Sequence, residues 1–345
     1  MEDIKSYTLD ELTGRIKDMG YQAYRARQLY EWMHKKAARS FEEMTNIPGE
    51  LRSRCEECFE YTALTMERMQ ESSVDGTRKY LFGCSDGSLV ESVLMKYDYG
   101  NSVCISSQVG CRMGCRFCAS TLNGLARNLT PSEMLDQIYY IGRDTGERVS
   151  HVVIMGTGEP MDNYDNVIRF IRLLTDENGL NISQRDVTVS TCGIVPRIYD
   201  LAAQHFQITL ALSLHAVTDE KRRKIMPVAE KYTISELMKA CGAYFNATGR
   251  RITFEYSLIA GVNDSRDDSE ALARLAGSVG AHVNLILVNP IRERDYVQPT
   301  RAAAESFKNR LEKNGIHVSI RREMGRDIDG ACCQLRRRQM EETSC

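Results

Sequence analysis

No apolar run in this 345-residue chain approaches the roughly 20 residues needed to span a bilayer. Its opening stretch, MEDIKSYTLDELTGR, is polar and acidic, unlike a secretory signal. These absences predict a cytoplasmic protein with no membrane partner. There is no internal repeat and no low-complexity segment. An excess of charge of one sign is also missing: the net charge is −2, which by itself does not announce a nucleic-acid binder. Basic runs stand at Lys221-Arg222-Arg223-Lys224, Arg321-Arg322 and Arg336-Arg337-Arg338. Singly each reads as a solvated face; grouped around one cleft they would hold RNA phosphates despite the neutral total.

What is present is ordinary in bulk: 42% apolar and 27% charged residues, at a length that suits one large α/β domain plus a small appendage. The 12 cysteines are not ordinary. In a reducing compartment disulfide frameworks are rare, and clustered thiols bind metal or do chemistry. Here four cysteines fall within residues 104–118 while the others are scattered.

The pattern along the chain predicts a helical accessory domain over 1–60, a β extension over 61–96, a core barrel over 97–330 and a C-terminal segment over 331–345. Thr8-Leu9-Asp10-Glu11 is a capping box, apolar positions follow at helical spacing through Met33, and Asn46-Ile47-Pro48-Gly49 is a turn. Asp75-Gly76 and Asp86-Gly87 mark hairpin turns between short strands. Thr130-Pro131-Ser132-Glu133 starts a helix with a second capping box. Strand-like runs then recur at 151–155, 187–190, 208–214, 252–258, 283–288 and 318–321, separated by helical runs. Such alternation predicts parallel strands with right-handed crossovers, closed or partly closed into a barrel. In that architecture the active site lies at the carboxyl ends of the strands.

Cys111, Cys115 and Cys118 are spaced C-x3-C-x2-C in a glycine-containing loop. Zinc prefers four closed ligands, so a zinc site needs a fourth, for which Cys104 is a candidate. An iron–sulfur cluster also usually takes four thiolates, and a cubane held by three leaves one iron open to a substrate or cofactor. Met155-Gly156-Thr157-Gly158-Glu159-Pro160 follows a strand; it lacks the third glycine and the helix of a dinucleotide fingerprint, and alone reads as a tight turn.

The cysteine spacing, with Phe117 before the last thiol, resembles the radical S-adenosylmethionine superfamily. That resemblance implies a [4Fe–4S] cluster on Cys111, Cys115 and Cys118, with S-adenosylmethionine on the open iron, and an α/β fold: a partial (β/α)6 barrel. It further implies cofactor-binding roles for Gly158, Glu159, Ser190, Ser213, Leu214, His215 and Asn289.

A narrower resemblance covers nearly the whole chain. Asp75-Gly76-Thr77-Arg78-Lys79, Val90-Glu91-Ser92-Val93-Leu94, Thr253-Phe254-Glu255-Tyr256, Gly261-Val262-Asn263-Asp264 and the Asp327-Ile328-Asp329-Gly330-Ala331-Cys332 segment are similar to the adenine-C2 RNA methyltransferases. The C2 carbon of adenine is electron-poor, so direct displacement on S-adenosylmethionine cannot methylate it. The resemblance implies that the Cys332 thiolate first takes a methyl group, as polar displacement requires. A 5′-deoxyadenosyl radical from a second S-adenosylmethionine then activates that methyl for addition to C2. Glu91 is implied as the acceptor of the C2 proton, and Cys104 as the thiol that forms a transient disulfide with Cys332 and frees the product. The implied substrates are an adenosine of 23S rRNA in the peptidyl-transferase centre, taken before full ribosome assembly, and the adenosine 3′ of the anticodon in tRNAs. An electron donor such as flavodoxin or ferredoxin and a monomeric state are expected.

The chain departs from that pattern at Cys333, where glycine is more usual, and at Leu287-Val288-Asn289-Pro290, which lacks an aromatic residue before the asparagine. Three alternatives stand beside this reading. They are a sister enzyme methylating C8 of the same adenine, a radical enzyme with a non-RNA substrate, and a zinc-stabilised RNA-binding module.

Overall fold

The computed structural model describes residues 1–289, 294–328 and Leu335. The chain begins with helices α1 (Leu9–Asp18), α2 (Ala23–His34) and α3 (Gly49–Cys58). The Thr8 hydroxyl caps α1 and Glu11 reaches back to the Thr8 amide, the reciprocal box read from the sequence. An antiparallel meander follows: β1 (Thr65–Glu71), β2 (Arg78–Gly83) and β3 (Leu89–Tyr97). Its turns use Gly76 and Gly87 at φ 68° and 78°, left-handed conformations that glycine adopts without strain.

β4 (Gly100–Cys104) returns antiparallel to β3, and a small ladder of β5 (Gln108–Gly110) with β6 (Leu125–Asn128) brackets the cysteine loop. The remaining elements alternate: α4 (Pro131–Thr145), β7 (Val149–Ile154), α5 (Tyr164–Thr175), β8 (Val187–Thr191), α6 (Val195–Ala202), β9 (Thr209–Ser213), α7 (Asp219–Ile225), α8 (Ile234–Thr248), β10 (Thr253–Leu258), α9 (Arg266–Ser278), β11 (His282–Leu287), α10 (Arg301–Lys313) and β12 (Val318–Ile320). One sheet runs β1-β2-β3-β4-β7-β8-β9-β10-β11-β12. From β4 onward every pairing is parallel.

All the strands expected from the alternation are present, and β4 precedes them as a further parallel strand that the pattern had grouped with the hairpins. The sheet is rolled but unsealed. Glu91 on β3 and Cys104 on β4 line the same cavity as Leu287 on β11 and Arg321 after β12, yet β12 pairs only with β11 in the sheet order. This is a partial barrel, as α/β alternation predicts.

The helical module shares its core with the barrel. Leu12, Leu29 and Met33 belong to the same apolar cluster as Leu135 on α4 and Phe170 on α5. A buried ion pair fixes the junction, with Lys5 Nζ 2.8 Å from Asp136 Oδ1, while Asp136 Oδ2 accepts the Leu64 amide at 2.6 Å. Removing one partner leaves an uncompensated charge in an apolar setting, so Lys5→Met is expected to cost about 3–5 kcal/mol. Urea unfolding followed by circular dichroism measures that loss.

The Lys221–Lys224 run does not form a free basic face, contrary to its reading as an RNA-contact candidate. Lys221 pairs with Asp268 at 2.7 Å and Lys224 with Glu220 at 2.7 Å, and Arg222 is fully buried. An i,i+4 acid on the same helix and an acid on a neighbouring helix satisfy charges that a linear scan counts as unpaired. Arg336–Arg338 lie outside the described residues.

Candidate active site

Two adjoining cavities open at the carboxyl ends of the strands, sharing Met155, Gly156, Ile286 and Arg321 as walls. The smaller, about 260 Å³, is lined by Cys111, Cys115 and Cys118 together with Gly158, Glu159, Ser190, Ser213 and His215. The structure therefore brings together eight of the residues singled out from the sequence.

The cysteine loop is held from several sides. Gly110 has φ 81°, and a Cβ there would sit 2.0 Å from the Gly124 carbonyl oxygen, so only glycine closes the loop. The Cys111 amide donates to Gly124 O at 2.9 Å, and the Arg116 amide to Ile225 O at 2.8 Å. The Phe117 ring packs edge-on against His215 with centroids 4.8 Å apart. Burial pushes the Cys111 thiol up to about 12 and the Cys115 thiol also upward. Such thiols become thiolates only beside a cation, which iron or another metal supplies. Among the described residues no three acidic, histidine or cysteine side chains close on one point. All three cysteines nevertheless line one cavity, and a set of three thiols is the donor chemistry that an iron–sulfur cluster with one open iron would use.

Opposite them, the turn after β7 lies pressed against the chain after β4. A Cβ on Gly156 would meet Ile105 O at 2.6 Å, and one on Gly158, at φ 113°, would meet the Gln108 amide nitrogen at 2.8 Å. Glu159 is buried, and burial raises its carboxyl despite amide donors from Met161 at 3.0 Å and Cys192 at 2.7 Å. Gln108, missed in the sequence, accepts the Glu159 amide at 2.8 Å. Ser190 and Ser213 end neighbouring strands with their hydroxyl oxygens 3.4 Å apart.

His215 has φ 55°, and its Nδ1 accepts the Ser257 amide at 2.9 Å. Burial pushes its imidazole down to about 3, so the ring is neutral and carries its proton on Nε2. It thus presents the cavity with an N–H donor rather than a cation. Leu214 behaves differently from its neighbours: its side chain lies in the core, its amide donates to Glu255 O, and it does not line the cavity.

The larger cavity, about 410 Å³, gathers Glu91, Cys104, Asn289 and the arginines Arg321, Arg322 and Arg326. Asn289, expected among the cofactor residues, thus faces this second chamber. Glu91 Oε2 lies 3.1 Å from Lys79 Nζ, both side chains buried. Lys79 belongs to a stretch quoted from the sequence but received no role there, because only strand register reveals it: β2 and β3 pair Lys79 with Val93, on the Glu91 face of β3. Cys104 pairs with the same Val93 from β4. Burial raises the Cys104 thiol, against the lowering influence of Arg321 and Lys79.

Cys332 and Cys333 lie outside the described residues, but the segment leading to them is anchored. The Gly325 amide donates to Asp75 Oδ2 at 2.9 Å, and Asp327 accepts the Ser73 amide at 2.9 Å. The β1–β2 turn thereby holds the approach to Cys332 at the rim of the larger cavity. The nine described cysteines are free thiols.

Comparison with known proteins agrees with this geometry. The description "Radical SAM superfamily" matches residues 105–275, and "Ribosomal RNA large subunit methyltransferase N-terminal domain" matches residues 3–60. A protein of Lachnospira eligens named "Probable dual-specificity RNA methyltransferase RlmN" is 62% identical over 99% of this chain and 98% of its own length. The chain belongs to the RlmN family. A second member, from Lachnoclostridium phytofermentans, is 58% identical over 99% of this chain and 96% of its own length. A radical SAM methyltransferase from Sphaerobacter thermophilus has the same fold, with TM-score 0.92, 41% identity and coverage of 97% of this chain and 99% of that one. As a radical SAM methyltransferase of the RlmN family, the chain is an enzyme whose cofactors are a [4Fe–4S] cluster and S-adenosylmethionine. Among its described residues no helix is long and apolar enough to cross a membrane.

Proposed function

We propose that this enzyme methylates C2 of an adenine in 23S rRNA and of the adenine 3′ of the anticodon in tRNAs, using Cys332 as methyl carrier. The observation that carries the reading is the pair of adjoining chambers. One is walled by the three-cysteine loop and the Gly158-Glu159 turn, the other by Glu91 and Cys104 beneath the segment that leads to Cys332.

When bound on Cys111, Cys115 and Cys118, the cluster with its S-adenosylmethionine supplies a hydrogen-abstracting radical and a transferable methyl group. The protein supplies everything else. The Gly158 backbone, Ser190, Ser213 and the Nε2–H of His215 orient the polar groups of the cofactor, while Glu159, tied to two amides, fixes the turn that meets it. Leu214 shapes the end of β9 behind them, and Asn289 lines the larger chamber, where it would meet the cofactor from the adenine side. An adenine entering the larger chamber must leave its stack, and Arg321 and Arg322 at the rim are placed to hold its phosphates.

Glu91, fixed by Lys79, takes the C2 proton once the methyl carbon is attached. Cys104 then attacks the sulfur of Cys332 to form a disulfide; the carbon–sulfur bond breaks, the released carbon takes a proton to become the methyl group, and the odd electron left by radical addition would return to the cluster. Glu91→Gln keeps size but removes the base, so methylation is expected to fall about 10²–10⁴-fold. Product quantified by mass spectrometry checks it; near-normal turnover would remove Glu91 from the scheme. Because burial raises the Cys104 thiol, its thiolate fraction grows with pH. Below its pKa, product release in single-turnover experiments is therefore expected to quicken about tenfold per pH unit.

We further propose that the enzyme works in the cytoplasm as a monomer, with flavodoxin or ferredoxin as electron source. The rRNA is taken before full ribosome assembly, when its adenine is still reachable. The helical module is proposed as an RNA grip, tested better by substitutions at exposed residues such as Lys35 and Lys36 than by deletion. Deletion would uncover the apolar face of α4.

A further inference from the structure

We propose that Arg222 is a positioning residue for the iron–sulfur cluster, placing a fixed positive charge behind the Cys115 wall and raising the cluster's reduction potential. This rests on the cluster reading above and assigns a role to a residue outside the cysteine motif.

Arg222 stands in α7 among three cations that all find carboxylates. Lys221 meets Asp268 at 2.7 Å, Arg223 meets Glu230 at 3.8 Å, and Lys224 meets Glu220 at 2.7 Å. Arg222 turns inward instead and is completely buried. Its hydrogen bonds go only to carbonyl oxygens. Nε donates to Leu214 O at 3.1 Å, while Nη2 donates to Cys192 O at 2.6 Å and to Ser213 O at 3.4 Å. Nη1 has no partner among the described residues.

Carbonyl dipoles stabilise a cation locally but leave its net charge uncancelled. Burying such a charge without a counter-ion is unfavourable, and a guanidinium does not escape the cost by losing its proton. The titratable groups that face it are therefore informative. The only carboxylate among them is Asp219, on its own helix, which already accepts the Ile234 amide at 2.7 Å; the other two are the Cys192 and Cys115 thiols, which burial keeps protonated, Cys115 until the cluster binds. Cys115 and Cys192 pack in one small cluster with Met226 and line the cofactor cavity. The arginine thus grips the ends of β8 and β9 from behind, one layer away from the sulfur wall.

Its consequence follows from charge balance. Reduction places one electron from the external donor on the cluster, with no proton accompanying it, so the assembly becomes one charge more negative. A cation fixed in a poorly screened interior stabilises the reduced form more than the oxidised form, and net local charge is one of the levers on cluster potential.

The test is an anaerobic redox titration, followed by electron paramagnetic resonance, of the full-length reconstituted enzyme with dithionite as reductant. Wild type is compared with Arg222→Gln and Arg222→Lys. In Arg222→Gln the ratio of reduced to oxidised cluster at the wild-type midpoint is expected to fall about tenfold, equal to about 59 mV for a one-electron couple. Arg222→Lys, which keeps the charge, is expected to titrate nearer wild type. Arg222→Gln titrating at the wild-type midpoint, or Arg222→Lys shifted as far as Arg222→Gln, would overturn the inference alone. Should Arg222→Gln fold but take up no iron, an iron-loaded Arg222→Lys supports the need for charge and an empty one overturns it. Wild type that forms no cluster would overturn the cluster reading and this inference with it.

Discussion

Cys115→Ala is expected to fold like the wild type, take up no cubane and release no 5′-deoxyadenosine. The loop does not depend on that thiol for its shape. The Cys115 carbonyl accepts the Cys118 amide at 3.1 Å and the Thr121 hydroxyl at 3.1 Å, bonds that alanine keeps. The volume removed is a single sulfur atom beside Met113 and Phe117. Ligation is another matter. Burial opposes the thiolate at Cys111 and Cys115, so both need iron to ionise, and iron needs all three cysteines to be held. The effect is therefore close to all-or-none rather than graded. Iron and sulfide analysis, the brown absorbance band and chromatography of the reaction mixture read it together. Full iron content in Cys115→Ala would remove this cysteine from the ligand set.

The second large effect belongs to the other chamber. Cys104→Ala is expected to stop after one round, with the RNA covalently joined to the protein through Cys332. Cys104 ends β4 on the wall it shares with Glu91, and its strand register sets it near that carboxylate, the proposed proton acceptor. Without that thiol nothing cleaves the bond between Cys332 and the methylated base, while the steps before it need only groups that remain. A denaturing gel with labelled RNA shows the adduct, and peptide mapping places it. Multiple turnovers without an adduct would mean that another thiol resolves the intermediate, with Cys333 the first candidate to replace in turn.

Much of this architecture is written in local pattern. The capping boxes at Thr8 and Thr130 form as read, because each uses groups three residues apart. The parallel strands after residue 150 are apolar runs between helical periods, and they form where expected. The cysteine loop and the Gly158-Glu159 turn were legible for the same reason: each is a short segment whose residue types need one another.

What escaped the sequence depends on distance across the fold. Lys79 becomes meaningful only when β2 lies against β3 and brings it to Glu91. Arg222 looks like one cation of four until α7 turns it toward the carbonyls of Cys192 and Leu214. Asn289, assigned through the family resemblance, lines the larger chamber, a placement that only the rolled sheet reveals. Strand β4 joins the parallel array through β7, a partner 45 or more residues further along. No local periodicity encodes such pairings.

The most direct test is one reaction: anaerobically reconstituted enzyme, reductant, S-adenosylmethionine and unmethylated 23S rRNA, with nucleosides and cofactor products analysed by mass spectrometry. 2-Methyladenosine and 5′-deoxyadenosine are expected in equal amounts. Methyl at C8, or methylated RNA without 5′-deoxyadenosine, would contradict it.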